Sequence, residues 1–270
     1  SNDFLNQILS ESTLYRGILD KGYRTWSKQE EQLKDSMNAL LLFNVKQQIP
    51  MLLSVMREYE RGNLKLKRVK DIVRAIECFH FIFTAVTSQR SSGGISFMYA
   101  YHARQLDQAS ENDKTNALDE LKIKLRDKLP SKDEFLASFA LLHYSSVYTK
   151  EKPLIKYILT QYDTFYSSKE GSGTVLKYDL MTIEHMHSEN DESHKVDFYE
   201  RGNVGNLILM DEKLNVDLGN KPFSSKHSVY LKSGIYLDEK VKTASAWNEE
   251  SIRERTQFIG RRLYDEVFKF

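Results

Sequence analysis

Three short stretches decide the fold: Met181-Thr182-Ile183-Glu184-His185-Met186-His187, Val204-Gly205-Asn206-Leu207-Ile208-Leu209-Met210, and Asp211-Glu212-Lys213-Leu214-Asn215. The first is a strand-like run that ends with an acidic residue beside a histidine. The second is a Gly-Asn corner that enters an apolar strand. The third reads as a helix start carrying another Asn. Taken as strand, hairpin partner and helix, they form a ββα unit in which His185, Asn206 and Asn215 converge.

That trio suits hydrolysis of a phosphodiester. The attacking water must lose a proton near neutral pH, and a neutral imidazole can accept it. A hard cation such as Mg²⁺ offsets charge on the phosphoryl oxygens and takes oxygen ligands while keeping several waters. The Glu184 carboxylate and the Asn215 amide oxygen make a sparse set of that kind. Asn206 is expected to orient the His185 ring, through its amide or through the corner it shapes. Alternation along a strand sends Glu184 and His185 to opposite faces, so a bend is expected if both serve one site.

With Asn220, Phe223, Lys226, Trp247, Ile252 and Arg255 added, this stretch resembles the HNH (His-Me finger) nuclease domain at the C-terminus of modification-dependent restriction enzymes of the GmrSD and SspE type. The step of nine residues from Asn206 to Asn215 is also similar to that in the HNH domain of CRISPR effector nucleases. The resemblance covers roughly Tyr178 to the C-terminus. It implies His185 as general base, Glu184 and Asn215 as ligands of Mg²⁺ or Mn²⁺, Asn206 as the middle Asn, and Lys226 as a phosphate contact. It also implies double-stranded phage DNA as substrate and an N-terminal ParB-like sensor and nucleotidase domain that this chain lacks. The family's proline three residues after the histidine is Ser188 here, and the loop from Asn190 to Phe198 is unusually acidic.

Outward from this unit the pattern turns helical. From about Ser27 to Ser168 apolar residues recur at helical spacing, and a bundle of about seven helices is expected. Ser27 with Glu30, and Ser131 with Glu134, are capping-box pairs. Pro50 and Pro153 sit where first helical turns begin, and Pro130 closes a helix. A long helix from Val69 to Thr87 carries Ile72, Ile76, Phe79 and Phe83 on one stripe. The first 25 residues read equally as a helix or an ordered arm. At the other end Asn248 is expected to cap a last helix, with Trp247 and Ile252 stapling it.

The chain has 270 residues, with Gly 12 and Pro 4, too few breakers for an all-β or linker protein. The expectation is a mostly α protein: a helical bundle followed by a small α+β nuclease domain. Small and polar residues at 167–173 put the predicted boundary near 170, giving a helical connector at 1–170 and a ββα-metal domain at 171–270. From Gly171 onward there are 14 Lys+Arg against 17 Asp+Glu, while the first 170 residues carry 25 against 21. Near-neutral charge fits cutting with little sequence preference, specificity residing elsewhere. The single cysteine excludes a disulfide framework and a four-cysteine zinc site. The apolar run at 75–86 is too short to span a membrane, and no signal peptide is present, so a cytoplasmic protein is expected. The start at Ser1-Asn2 reads as a trimmed end of something longer.

Other residues carry competing readings. His187 and His194 read as loop histidines, with a zinc site from them and His185 as the weaker alternative. His80 reads as a hydrogen-bonded core histidine and Cys78 as a small buried hydrophobe. Lys65, Lys67, Arg68, Lys70 and Arg74 form either a solvated face or a phosphate-tracking surface, with Lys67 and Lys70 as candidate DNA contacts. Arg255 is a candidate for a structural or phosphate role. The alternatives to a nuclease are a catalytically degenerate binding or interaction module, and an RNase on the same scaffold.

Overall fold

The computed structural model describes residues 2–89, 93–171, 177–190 and 196–270. It is mostly helical with one small sheet, and it divides into two compact units, 1–130 with Phe270, and 131–269. The polar run at 167–173, where the boundary was expected, begins at the end of a helix inside the second unit. The end of that run, 172–173, and His194 lie outside the described residues.

The first unit is a helical bundle of α1 (Asn2–Leu19), α2 (Glu31–Leu42), α3 (Ile49–Glu60), α4 (Leu66–His80), α5 (Gly93–Gln108) and α6 (Lys114–Asp127). The ambiguous N-terminus is therefore helix, packed on α3. Pro50 lies in the first turn of α3, and Gly62 follows its end at φ +79°, a conformation a Cβ would strain. The long helix predicted to Thr87 runs as α4 and then loosens into a π-helical stretch, Phe81–Val86. His80 is fully buried there, with one ring nitrogen 2.9 Å from Thr84 Oγ1 and the other 2.9 Å from the Tyr99 hydroxyl. Cys78 is buried beside it, and burial pushes its thiol up to about 12, so it packs as an apolar residue.

The second unit begins with α7 (Lys132–Phe139), where Ser131 and Glu134 close the expected capping box, and α8 (Lys152–Lys169). Strand β1 (Met181–His185) follows. After α9 (Phe198–Arg201), β2 (Leu207–Asp211) pairs antiparallel with β1, Met181 opposite Asp211 and His185 opposite Leu207. Asp211 ends the strand and caps α10 (Glu212–Leu218), its Oδ1 accepting from the Lys213 and Leu214 amides. Then come α11 (Phe223–Tyr230), α12 (Glu239–Lys242) and α13 (Glu249–Arg262), the last capped by Asn248 as expected.

Leu207, Ile208, Leu209 and Met210 are all buried because the sheet is covered on both faces. Ile208 and Met210 join Phe223, Tyr230, Trp247 and Ile252 in one core, and α8 packs on the same strand. This contact, with that of α7 on α13, is why both helices belong to the second unit. Helical periodicity and the polar run at 167–173 place them with the first.

Gly205 lets the turn before β2 press against α13. A Cβ at that position lies 2.1 Å from the Ile252 carbonyl oxygen and 2.3 Å from Thr256 Oγ1. Gly205→Ala must therefore push the turn off the helix, and a loss of about 1–3 kcal/mol is expected. Urea unfolding followed by circular dichroism checks this; an unchanged midpoint would contradict the close approach.

Candidate functional site

Alternation along β1 puts Thr182 and Glu184 on one face and Ile183 and His185 on the other. The strand ends at His185, yet its pairing does not. The Met186 amide donates to the Asn206 carbonyl at 2.9 Å. One residue on, the Asn206 side chain takes the place of a peptide group. Its Oδ1 accepts the His187 amide at 2.8 Å, and its Nδ2 donates to the His187 carbonyl at 2.9 Å. Nδ2 also donates to the Arg201 carbonyl at 2.7 Å, and Trp247 Nε1 donates to Oδ1 at 3.1 Å. Asn206 is wholly buried with both ends of its amide bonded. Among the described residues it has no hydrogen bond to the imidazole; it fixes the backbone that follows the histidine.

The His185 ring is held by a loop 41 residues away. Its Nε2 lies 3.1 Å from the Tyr144 carbonyl oxygen, and the Tyr144 ring stacks on it at 5.6 Å. A carbonyl has no proton to give, so Nε2 carries the hydrogen and Nδ1 keeps its lone pair. Nδ1 has no hydrogen bond among the described residues. Burial lowers the pKa of the ring below its ordinary 6.5, opposed by the Tyr144 carbonyl and by Glu189, and keeps it neutral at pH 7.

Asn215 stands one turn into α10. Its Nδ2 donates to Thr182 Oγ1 at 2.9 Å and to the Ile183 carbonyl at 3.0 Å. The carbonyl contact requires the nitrogen on that side and turns Oδ1 away, without a partner among the described residues. The contact with Thr182 places Asn215 on the Glu184 face of the strand.

Glu184 is buried, and its Oε1 accepts from Lys226 Nζ at 2.7 Å and from the Tyr230 hydroxyl at 2.8 Å. Burial and the adjacent carboxylate raise the Tyr230 pKa, so its hydroxyl stays a donor. Lys226 also donates to the His185 carbonyl at 2.9 Å. Only Oε2 of Glu184 is without a partner among the described residues.

Two of the expected DNA contacts are therefore corrected. Lys226 is 1% exposed and Arg255 3% exposed, and neither reaches solvent. Lys226 neutralises Glu184. Arg255 pairs with the buried Asp238 at 2.9 Å and donates to the Gly205 and Leu207 carbonyls, bracing the corner before β2. Lys67 and Lys70 lie on α4 in the first unit, exposed and half-buried, with no ion pair among the described residues. Their neighbour Arg68 faces Asp119 at 3.4 Å.

Ser188 stands at the family's proline position, and its hydroxyl donates to Asn220 Oδ1 at 2.8 Å and accepts the Asn190 amide. Side-chain hydrogen bonds fix the turn where a ring would otherwise do so. His187 is half-buried, its backbone clamped by Asn206. Among the described residues no group of three His, Cys, Asp or Glu side chains is placed to hold a metal ion, and no helix is long and apolar enough to cross a membrane.

The fold and this site define a small sheet-and-helix domain built around a neutral histidine and two asparagines. Residues 129–262 match the model of the GmrSD restriction endonuclease C-terminal domain, and over these residues the chain belongs to that family. The match begins at residue 129, two residues before the second unit. No curated protein matches the chain.

Removing one member of the Glu184–Lys226 pair leaves a buried charge uncompensated. Lys226→Met is expected to cost about 3–5 kcal/mol, and adding Glu184→Gln to it to restore part of the loss. Chemical denaturation of the single and double variants checks this. An additive or negligible effect would contradict the pairing.

Proposed function

We propose that the second unit is the DNA-hydrolysing part of a restriction nuclease of the HNH (His-Me finger) type, with His185 as general base. The family is one of restriction endonucleases. The observation that carries the reading is the unbonded Nδ1 of a neutral His185 ring at the end of a strand locked by Asn206. Asn215 Oδ1, on the opposite face of that strand, is a second unbonded acceptor. Water gives a proton to Nδ1, its oxygen bonds to phosphorus, and the bond from phosphorus to the leaving oxygen breaks. Solvent protonates the leaving oxygen and relieves the imidazolium of its proton.

The residues fit Mg²⁺ or Mn²⁺: Asn215 Oδ1 and Glu184 Oε2 are both oxygen donors on one face of β1. A hard ion takes few protein ligands and completes its shell with water and phosphate. When bound, the ion offsets charge on the phosphoryl oxygens. Lys67 and Lys70 are the remaining proposed phosphate contacts, and double-stranded phage DNA is the proposed substrate. An N-terminal ParB-like sensor domain, in a cytoplasmic protein, would choose which DNA is cut. The ammonium of Lys226 on Glu184 favours a second reading, a degenerate nucleic-acid-binding module, because it leaves less negative charge for a metal.

Supercoiled plasmid incubated with Mg²⁺ or Mn²⁺ tests the reading. Nicked or linear product is expected from the wild type. His185→Ala should lose about 100-fold or more, and Asn215→Ala should need more metal. The neutral imidazole is the active form and its pKa is lowered, so the rate should fall only as pH drops below 6.5. Equal conversion by wild type and His185→Ala would sink the base assignment. Metal-dependent cleavage of RNA but not DNA would move the substrate to RNA.

A further inference from the structure

We propose that Glu189 is a positioning residue for His185, an anionic support behind the imidazole that Ser146 holds in place. The inference rests on the reading of His185 as base. Tyr144 and Ser146 lie on the same loop between α7 and α8. While the Tyr144 carbonyl meets His185 Nε2, the Ser146 amide donates to Glu189 Oε1 at 2.7 Å, and the Ser146 hydroxyl donates to the same oxygen. The backbone of Glu189 is fixed as well, its carbonyl accepting from the Arg201 guanidinium at 2.9 Å. The other carboxylate oxygen, Oε2, stands 3.9 Å from His185 Nε2.

The carboxylate is thus immobilised on the side of the ring away from Nδ1. The side chains of His185 and Glu189 are 12% and 14% exposed, so solvent screens their interaction less than that of a surface pair. The other charges near the ring, Glu184 and Lys226, are paired with each other at 2.7 Å. The Glu189 carboxylate has no Lys or Arg partner among the described residues, Arg201 meeting only its backbone carbonyl, and its charge is left to act on the ring. When Nδ1 accepts the proton of water, the positive charge forms against this carboxylate, while the neutral ring before the step gains little from it. That difference between the two states is what speeds a proton transfer.

Glu189→Gln keeps the side chain's size and an oxygen for Ser146 while removing the charge. In plasmid-cleavage kinetics at saturating metal, kcat is expected to fall by about 10- to 100-fold. KM and the thermal midpoint should stay unchanged. Made in the His185→Ala protein, the same substitution should cause no further loss, because Glu189 acts through the ring. A nitrogen-15 spectrum of the ring at pH 7.5, which needs no turnover, should show the His185 Nε2–H signal displaced in Glu189→Gln. It should stay in place in Glu200→Gln.

Wild-type kcat and an unmoved ring signal in Glu189→Gln would overturn the inference. So would an equal loss of rate with and without His185. If the wild type cleaves nothing while the ring signal still moves, the nuclease reading fails and the support of the ring by Glu189 stands. If His185→Ala abolishes cleavage and Glu189→Gln changes neither readout, only the inference falls.

Discussion

Everything at the site depends on the amide of Asn206 standing in for a peptide group. The last regular pair of β1 with β2 is His185 opposite Leu207, with one further backbone bond from the Met186 amide to the Asn206 carbonyl, and a strand end would ordinarily fray there. The two hydrogen bonds between the Asn206 side chain and the backbone of His187 carry the ladder past the histidine. A second pair, from Trp247 and to the Arg201 carbonyl, ties the same amide to the core and to the end of α9. A buried amide bonded at both ends tolerates little movement, since every displacement strands a donor or acceptor. His185 is therefore presented on a rigid backbone, and its ring is aimed by the Tyr144 carbonyl.

The same economy governs the buried charges. Glu184 with Lys226, and Asp238 with Arg255, are ion pairs almost without exposure, and each also donates to backbone carbonyls at the site. Such pairs contribute little net stability compared with apolar residues of the same volume, but they resist rearrangement because breaking one leaves a naked charge. In this domain they fasten the carbonyl of His185 and those of Gly205 and Leu207. Strand β1 and the corner before β2 are held by charge as well as by packing.

Much of this was legible in the sequence where the determinants are local. The run of β2, its Asp211 cap and the start of α10 set the distance from Asn206 to Asn215, and the ββα order follows from them. Gly205 and Asn248 likewise announced a tight corner and a helix cap. The unit boundary was not legible, because α7 and α8 look like bundle helices until their partners, α13 and β2, are known. Nor were the fates of Lys226 and Arg255, whose acids lie 42 and 17 residues away. Tyr144, Ser146 and Glu189 left no local signal, since their roles come from contacts spanning 41 and 43 residues.

Extension of the sheet past His185 by the Asn206 side chain is tested most directly by amide hydrogen exchange at His187 in the intact protein. His187 follows the last residue of β1 by two positions, in a stretch that would exchange quickly if it were an ordinary loop. Its amide is expected to exchange as slowly as the ladder amides of β1. Exchange at the rate of an open loop would contradict it.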